Sequence, residues 1–175
     1  NTNQIVVNST LNKKSLSSLT KSATIIDPKS NELLSDLSDY ANSIPNVNMI
    51  SGTSKGRYFR IRGIGELSQF SGEGPPVFSV GYYIDDMDLS GVGTIGSSFD
   101  INRIEVVKGS NNITYGYNAL AGTINLYSTD PSYIKEGVLK IGANDDDGYD
   151  IGLSYSLPIN NKLLTRTTIY KNYSN

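Results

Sequence analysis

The stretch FDINRIEVVKG, Phe99–Gly109, decides how the rest of the chain is interpreted. From residue 103 to residue 108 its side chains alternate, with Ile104 on one face and Glu105 on the other, which predicts a strand. Residues 100–103, just before the alternation, predict a short helical or irregular connector.

Further elements lie on both sides of this stretch. Asp27-Pro28 offers an N-cap and a proline at the first helical position, and apolar residues at spacings of three and four then predict an amphipathic helix over 29–43. Gly- and Ser-rich segments at 66–76 and 88–98 predict loops. The remaining predicted strands of this region are 23–26, 58–62, 77–84 and 122–127.

After Pro131 the pattern becomes a regular alternation. Residues 149–157 place apolar side chains on one face and polar or glycine residues on the other, and strands are also predicted near 139–144 and 162–170. Polar turns, the second of them at 158–161, separate them. The pattern is typical of outer-membrane barrel strands, and a soluble antiparallel meander fits it as well.

The composition excludes several classes of function. The 175 residues contain no Cys and no His, so disulfides, thiol nucleophiles, imidazole bases and His-ligated metals are excluded from this segment. A net charge of −2 provides no field that would attract nucleic acid. No apolar run approaches the roughly 18 residues of a transmembrane helix, and no signal peptide is expected.

Four segments, in order, resemble the plug domain of TonB-dependent outer-membrane receptors of the siderophore-receptor type. The stretch 99–109 is similar to the family's DIERIEVLRGP, and YGYNALAGTINL at 115–126 is similar to LYGRNALGGAINI. FRIRGIG at 59–65 and VGYYIDDM at 80–87 resemble the family's IRG and VYVDG strands. The chain departs from these patterns at Lys108, Ser110 and Tyr117.

The resemblance implies an α+β fold with three regions: a flexible leader over 1–22, a plug over 23–131 and the first barrel strands over 132–175. The plug is expected to be a small mixed four-stranded sheet with short helices, inside a barrel of about 22 strands. The implied protein is an active transporter in the bacterial outer membrane, most often for a ferric siderophore, with the leader facing the periplasm. Cobalamin is an alternative cargo, and heme fits less well because this plug has no His.

The resemblance also implies three groups of site residues. Ile5-Val6-Val7 occupies the place of the family's TonB box, the segment that contacts the energy transducer TonB, and an extended apolar segment of this kind can add to a partner's sheet. The alternative is that it is the first strand of the plug. Arg60, Arg62, Glu105 and Lys108 are expected on neighbouring strands, as a latch to the barrel wall. The residues expected to touch a ligand are Lys55, Arg57, Gln69, Phe70 and Tyr82.

Two other functions compete with transport. A stand-alone or truncated plug would act as a binding module for a ligand or partner, since three strands cannot close a barrel. An enzyme is not expected, because no catalytic constellation is visible, and neither a cofactor nor a metal is predicted. The dinucleotide-like glycines at 91–96 lack the flanking strand and helix, and turns account for Asp85-Asp86 and for residues 145–147.

Overall fold

The computed structural model describes residues 6–8, 14–15, 18–28, 37–50, 58–65, 78–90, 98–143 and 148–173. The chain divides into two compact units, one from the ranges 1–98 and 103–127 and the other from 99–102 and 128–175. It therefore enters the second unit at residue 99, leaves it after residue 102 and returns at residue 128.

The described residues form twelve strands, two short α-helices and a 3₁₀ turn. They are, in chain order, β1 Val6–Val7, β2 Lys14–Ser15, β3 Ser22–Ile26, α1 Leu37–Ser43, β4 Val47–Ile50, β5 Tyr58–Ile61, β6 Val80–Ile84, β7 Met87–Asp88, β8 Ile101–Lys108, α2 Asn112–Tyr115, the 3₁₀ turn Gly116–Ala119, β9 Gly122–Ser128, β10 Glu136–Ala143, β11 Tyr149–Asn160 and β12 Leu163–Tyr173.

A mixed five-stranded sheet forms the centre of the first unit, in the order β3-β8-β9-β6-β7. β3 is antiparallel to β8, β6 is parallel to β9, and β7 is antiparallel to β6. Asp85 and Asp86 join the last two strands with φ values of 48° and 65°, the left-handed pair that a two-residue hairpin turn requires. β8 and β9 therefore lie in the interior of the sheet.

Helix α1 packs on one face of this sheet. Leu37, Tyr40, Ala41 and Ile44 are buried at the three-and-four spacing that the sequence predicts. They surround an apolar space together with residues of β4, β5 and the sheet, namely Val47, Phe59, Ile104, Val106 and Ile124. Each large apolar side chain buried in this way contributes about 1.5–3 kcal/mol to folding.

The second unit is an antiparallel sheet in the order β10-β11-β12. Along β11 the burial alternates, with Asp150, Gly152, Ser154 and Ser156 buried on one face. The opposite face is exposed and apolar, and its large side chains on the three strands are Leu139, Ile141, Tyr149, Ile151, Leu153, Tyr155, Leu157, Ile169 and Tyr173. Polar on one side and apolar on the other, the strands have the pattern expected of a barrel wall.

The structure confirms the α+β class, with a mixed sheet followed by antiparallel strands. The sheet has five strands instead of four, because β3 and the two-residue strand β7 form its two edges. The predicted strand at 58–62 is not part of this sheet, since β5 pairs with β4 in a separate hairpin.

Three local predictions change as well. The connector expected at 100–103 is wrong beyond its first residue, because β8 begins at Ile101. The turn expected at 158–161 is shorter, since β11 continues to Asn160 through a bulge. Of the helix predicted over 29–43, α1 covers Leu37–Ser43, and residues 29–36 lie outside the described part of the chain.

Candidate functional site

The carboxylate of Glu105 lies at the centre of a polar cluster in the first unit, named the Glu105 cluster for its residues Asn8, Arg103, Glu105 and Tyr127. Glu105 is fully buried in β8, and its two carboxylate oxygens accept the main-chain N–H of Asn8, each at 3.0 Å. Arg103 Nε lies 3.1 Å from Oε1 of Glu105, and the guanidinium lies over the Tyr127 ring at 5.1 Å. A buried carboxylate in a central strand therefore holds the backbone of the leader.

The described part of the leader is a small hairpin of its own. Val6 and Val7 pair antiparallel with Ser15 and Lys14, and the side chain of Val7 is fully buried. The segment predicted to contact TonB is thus paired along one edge and docked by its apolar side chain. β1 does not belong to the five-stranded sheet, and Ile5 lies outside the described residues.

The structure does not place the four predicted latch residues on neighbouring strands. Arg60 lies in the β4–β5 hairpin and Arg62 in the turn after it, at φ 54°, whereas Glu105 and Lys108 belong to β8 of the main sheet. Lys108 Nζ donates to the carbonyl of Pro45 at 3.4 Å. Glu105 forms its ion pair with Arg103, which the sequence analysis did not single out.

The predicted ligand contacts lie mostly beyond the described residues: Lys55, Arg57, Gln69 and Phe70 are in segments 51–57 and 66–77, which the structure does not describe. Tyr82 is described, and it is in the core and not on the surface. Its side chain is 1% exposed and stacks on Phe59 at 5.6 Å between ring centroids. Burial raises the pKa of Tyr82, as expected for a phenol without access to water.

A second aromatic group lies at the β6–β7 end of the sheet. Tyr83 and Tyr115 pack with ring centroids 4.4 Å apart, and Tyr115 donates its hydroxyl to Asp86 at 3.2 Å. Burial raises the pKa of Tyr83 to about 12, and the charge of Asp88 adds to the shift. For Tyr127, burial followed by the charge of Glu105 also raises the pKa to about 12. These phenols stay neutral at physiological pH and act as packing and hydrogen-bonding groups.

The second unit contains a buried ion pair, which we name the Asp100 clamp. Arg166 donates to the Asp100 carboxylate through Nε at 2.8 Å and Nη2 at 2.6 Å, and Thr168 also donates to it. The two side chains are 10% and 8% exposed, for Asp100 and Arg166 respectively. Burial alone would raise the pKa of Asp100, but the hydrogen bonds and charge of Arg166, together with Thr168, hold it below the usual value.

Polar and aromatic contacts complete the clamp. Arg166 also donates to Ser156 and Ser154 at 2.7 and 2.9 Å, so its guanidinium is fixed on the polar face of the sheet. Phe99 stacks on Tyr170, with ring centroids 5.5 Å apart. Asp100 and Arg166 are 66 positions apart in the chain, so no local sequence pattern predicts that they pair.

Most of the first unit matches a known protein family. The TonB-dependent Receptor Plug Domain family matches residues 15–123, more than half of the chain. The chain belongs to this family. The plug fold and the outer-membrane location implied by the sequence are thereby confirmed, and the family consists of receptors and not of enzymes.

Relatives of the plug include receptors for siderophores. The pesticin receptor of Yersinia pestis is 28% identical over 86 residues, which cover 49% of this chain and 13% of that receptor. The structure of the ferric yersiniabactin uptake receptor FyuA from Yersinia pestis is similar with a TM-score of 0.75 and 22% identity, covering 90% of this chain and 25% of that one. The ferripyoverdine receptor of Pseudomonas aeruginosa gives a TM-score of 0.76 at 18% identity, covering 95% and 22%.

The chain is much shorter than the receptors it resembles. The chain spans 13% of the length of the curated receptors and 22–25% of those two solved ones. At these identities the structural likeness establishes the fold, which includes the strands after the plug. Among the helices that the structure describes, none is long and apolar enough to cross a membrane.

Proposed function

We propose that this plug is the gate and ligand-binding part of an active transporter for ferric siderophores in the outer membrane, driven by TonB. The observation that carries the proposal is the sheet β10-β11-β12, which follows the plug directly and has one apolar exposed face and one polar face. One apolar and one polar face is the pattern of strands in the wall of an outer-membrane barrel, where a plug would close the lumen. The solved relatives, a ferric yersiniabactin receptor and a ferripyoverdine receptor, support iron chelates as the cargo.

The leader supplies the proposed connection to TonB. Val6-Val7 is already extended, and among the described strands it pairs only with β2, so the proposal is that a partner strand adds at its other edge. Ile5, Val6 and Val7 are therefore the proposed TonB contact. Since the Asn8 amide is bound by Glu105 in the main sheet, a pull on the leader acts directly on the plug.

The proposed ligand contacts are Lys55, Arg57, Gln69 and Phe70. Cationic and aromatic side chains suit anionic chelates through charge and stacking. Tyr82 is left out of these contacts because it is buried. Arg60, Arg62 and Lys108 remain proposed contacts to the rest of the barrel wall.

Uptake tests the function directly. A strain lacking the receptor is complemented with the complete gene and supplied with radiolabelled ferric siderophores of different chemical classes, with cobalamin and heme in parallel, under iron limitation. We expect uptake of at least one ferric siderophore that is lost when tonB is deleted. Uptake of cobalamin or heme alone would replace ferric siderophores as the proposed cargo. Uptake of none of these compounds would reject transport of all three classes.

The size of the native protein separates transport from the alternative, a stand-alone binding module. An antibody against this chain is used on outer-membrane extracts, with and without boiling. A closed barrel of about 22 strands requires several hundred further residues, so we expect a large band that shifts on heating. A band with the mass of these 175 residues alone would reject the transporter and leave a plug that binds without transporting.

A further inference from the structure

The two segments by which the chain passes into the second unit are bonded to each other. Thr129 donates its main-chain N–H and its hydroxyl to the carbonyl of Asp100, both at 3.0 Å. Residues 99–102 precede the body of β8, and residues 128–130 end β9 and follow it. The two central strands of the plug are therefore tied together at the end where both connect with the second unit.

The Asp100 clamp fixes this junction to the wall strands. A guanidinium that donates through two nitrogens to one carboxylate, with both groups almost fully buried, resists separation because either charge left alone would be buried without its partner. Phe99 closes over Gly152, where a Cβ would lie 2.8 Å from its ring. Asp100 itself has φ 65°, in the left-handed region, which Asp adopts more readily than most other non-glycine residues.

The described strands of this sheet that precede the clamp in the chain lie outside β8 and β9. β3 forms one edge, and β6 and β7 form the other side. A force applied at the leader first acts on the contact between the Asn8 amide and Glu105 in β8. Once that contact opens, β3 is the first strand of the sheet along the chain. Strands can thus be removed from the first unit in chain order while β8 and β9 stay joined to the wall.

We propose that residues 99–102 and 128–130 are a fixed anchor, held by the ion pair of Asp100 with Arg166, that keeps β8 and β9 in place while the leader is pulled. Opening of the gate then extends no further than residue 98. The inference rests on the proposed function in that TonB supplies the pull, but the anchor itself is a mechanical property that can be measured without ligand or TonB.

The test is force spectroscopy on the complete receptor in lipid nanodiscs, with a handle attached at Asn1. An extended chain spans at most about 3.6 Å per residue, so release up to residue 98 gives a contour length of at most about 350 Å. If the junction gave way, release would continue to the start of β10 and reach about 490 Å. We expect the wild type to stop at or below the shorter length.

Two aspartate variants identify the cause. Asp100→Asn removes the ion pair and should move the release to the longer length at the same force. Asp150→Asn is the matched control, since Asp150 is a 10% exposed side chain of the same unit whose ion pair is with Lys140 on β10; it should leave the shorter length unchanged. Release of the wild type to the longer length would overturn the anchor, and an Asp100→Asn receptor that still stops at the shorter length would overturn the role of the ion pair. A failed uptake experiment would reject transport without affecting either result.

Discussion

The main-chain N–H of Asn8 is shared between the two carboxylate oxygens of Glu105, at 3.0 Å from each, although the residues are 97 positions apart. The donor is backbone, so this contact depends on the conformation of the leader and not on the side chain of Asn8. The acceptor is fully buried, and Arg103 lies against it. The strength of this contact therefore depends on the charge of Glu105.

Glu105→Gln should release the leader. The amide keeps the shape of the side chain but loses the charge, and hydrogen bonds to charged groups contribute about 1.5–3 kcal/mol, against about 0.5–1.5 kcal/mol for neutral ones. A loss of about 1.4 kcal/mol corresponds to a tenfold change in an equilibrium. Hydrogen exchange at the Asn8 amide should accelerate about tenfold, and the C-terminal domain of TonB should bind the receptor more tightly because the docked state no longer competes.

The control for this variant is Glu136→Gln, which removes the same charge from an exposed position at the start of β10. It should leave exchange at Asn8 and TonB binding unchanged. If Glu105→Gln exchanged no faster than this control, the leader would be held by its apolar docking and not by the carboxylate.

Gly122 is expected to tolerate no side chain. Its φ is 154°, and an added Cβ would collide with the carbonyl oxygen of Val107 and lie 2.7 Å from Cδ1 of Ile61. Gly109 also has a positive φ, 118°, but open space around it. Gly109→Ala should cost about 1–2 kcal/mol of backbone strain. Gly122→Ala should cost about 1–3 kcal/mol more through overpacking, measured from hydrogen exchange of the β9 amides. If Gly122→Ala cost no more than Gly109→Ala, the Val107 carbonyl and Ile61 would move away from the added Cβ without a loss of stability.

The sequence predicts the elements of this plug better than it predicts their contacts. The alternation around Glu105 identifies β8, and the spacing of Leu37, Tyr40 and Ala41 identifies the buried face of α1, because both are periodic local patterns. Sheet membership is different. The sequence predicts β5 as a strand as clearly as it predicts β6. No local pattern shows, however, that β5 pairs with β4 while β6 pairs with β9.

The site residues illustrate the same limit. The family resemblance implies a common latch that includes Arg60 and Glu105, yet the two residues belong to different sheets. From the sequence, Asp100 is predicted to lie in a connector before β8. Its partner Arg166 lies in the predicted strand 162–170, where nothing in the pattern distinguishes it from another surface cation. Their buried pairing follows from the tertiary fold, over a separation of 66 residues, and so it could not be predicted from spacing.

Alkaline pH should weaken the first unit through Tyr127. Burial and the charge of Glu105 raise its pKa to about 12 in the folded state, against the ordinary value of 10.0. The folded state therefore keeps the phenol proton that the unfolded state loses, and the associated stability is fully present below pH 10 and is lost as the pH rises through about 12. Tyr127→Phe should remove the part of the loss of stability at alkaline pH that comes from this phenol.

Ultraviolet absorbance of the phenolate provides the measurement. The difference between wild type and Tyr127→Phe should titrate near pH 12, while Tyr133→Phe controls for the loss of one chromophore at a 74% exposed position. A difference that titrated at the ordinary value of 10.0 would show that Tyr127 is not buried beside Glu105 in solution.

The exposed apolar face of β10-β11-β12 should meet lipid, and two leucines test this. Leu153 lies within β11 and Leu163 at the start of β12 beside the turn at 161–162, and both are 49% exposed. Arginine on the lipid face of a barrel costs about 2–4 kcal/mol at the middle of the bilayer but only about 0–1 kcal/mol near its surface. In the complete receptor in lipid vesicles, Leu153→Arg should therefore lower the free energy of unfolding in urea by about 2–4 kcal/mol, and Leu163→Arg by no more than about 1 kcal/mol. Similar small effects at both positions would mean that this face meets water, as in a soluble meander, and would contradict the barrel wall on which the proposed transport depends.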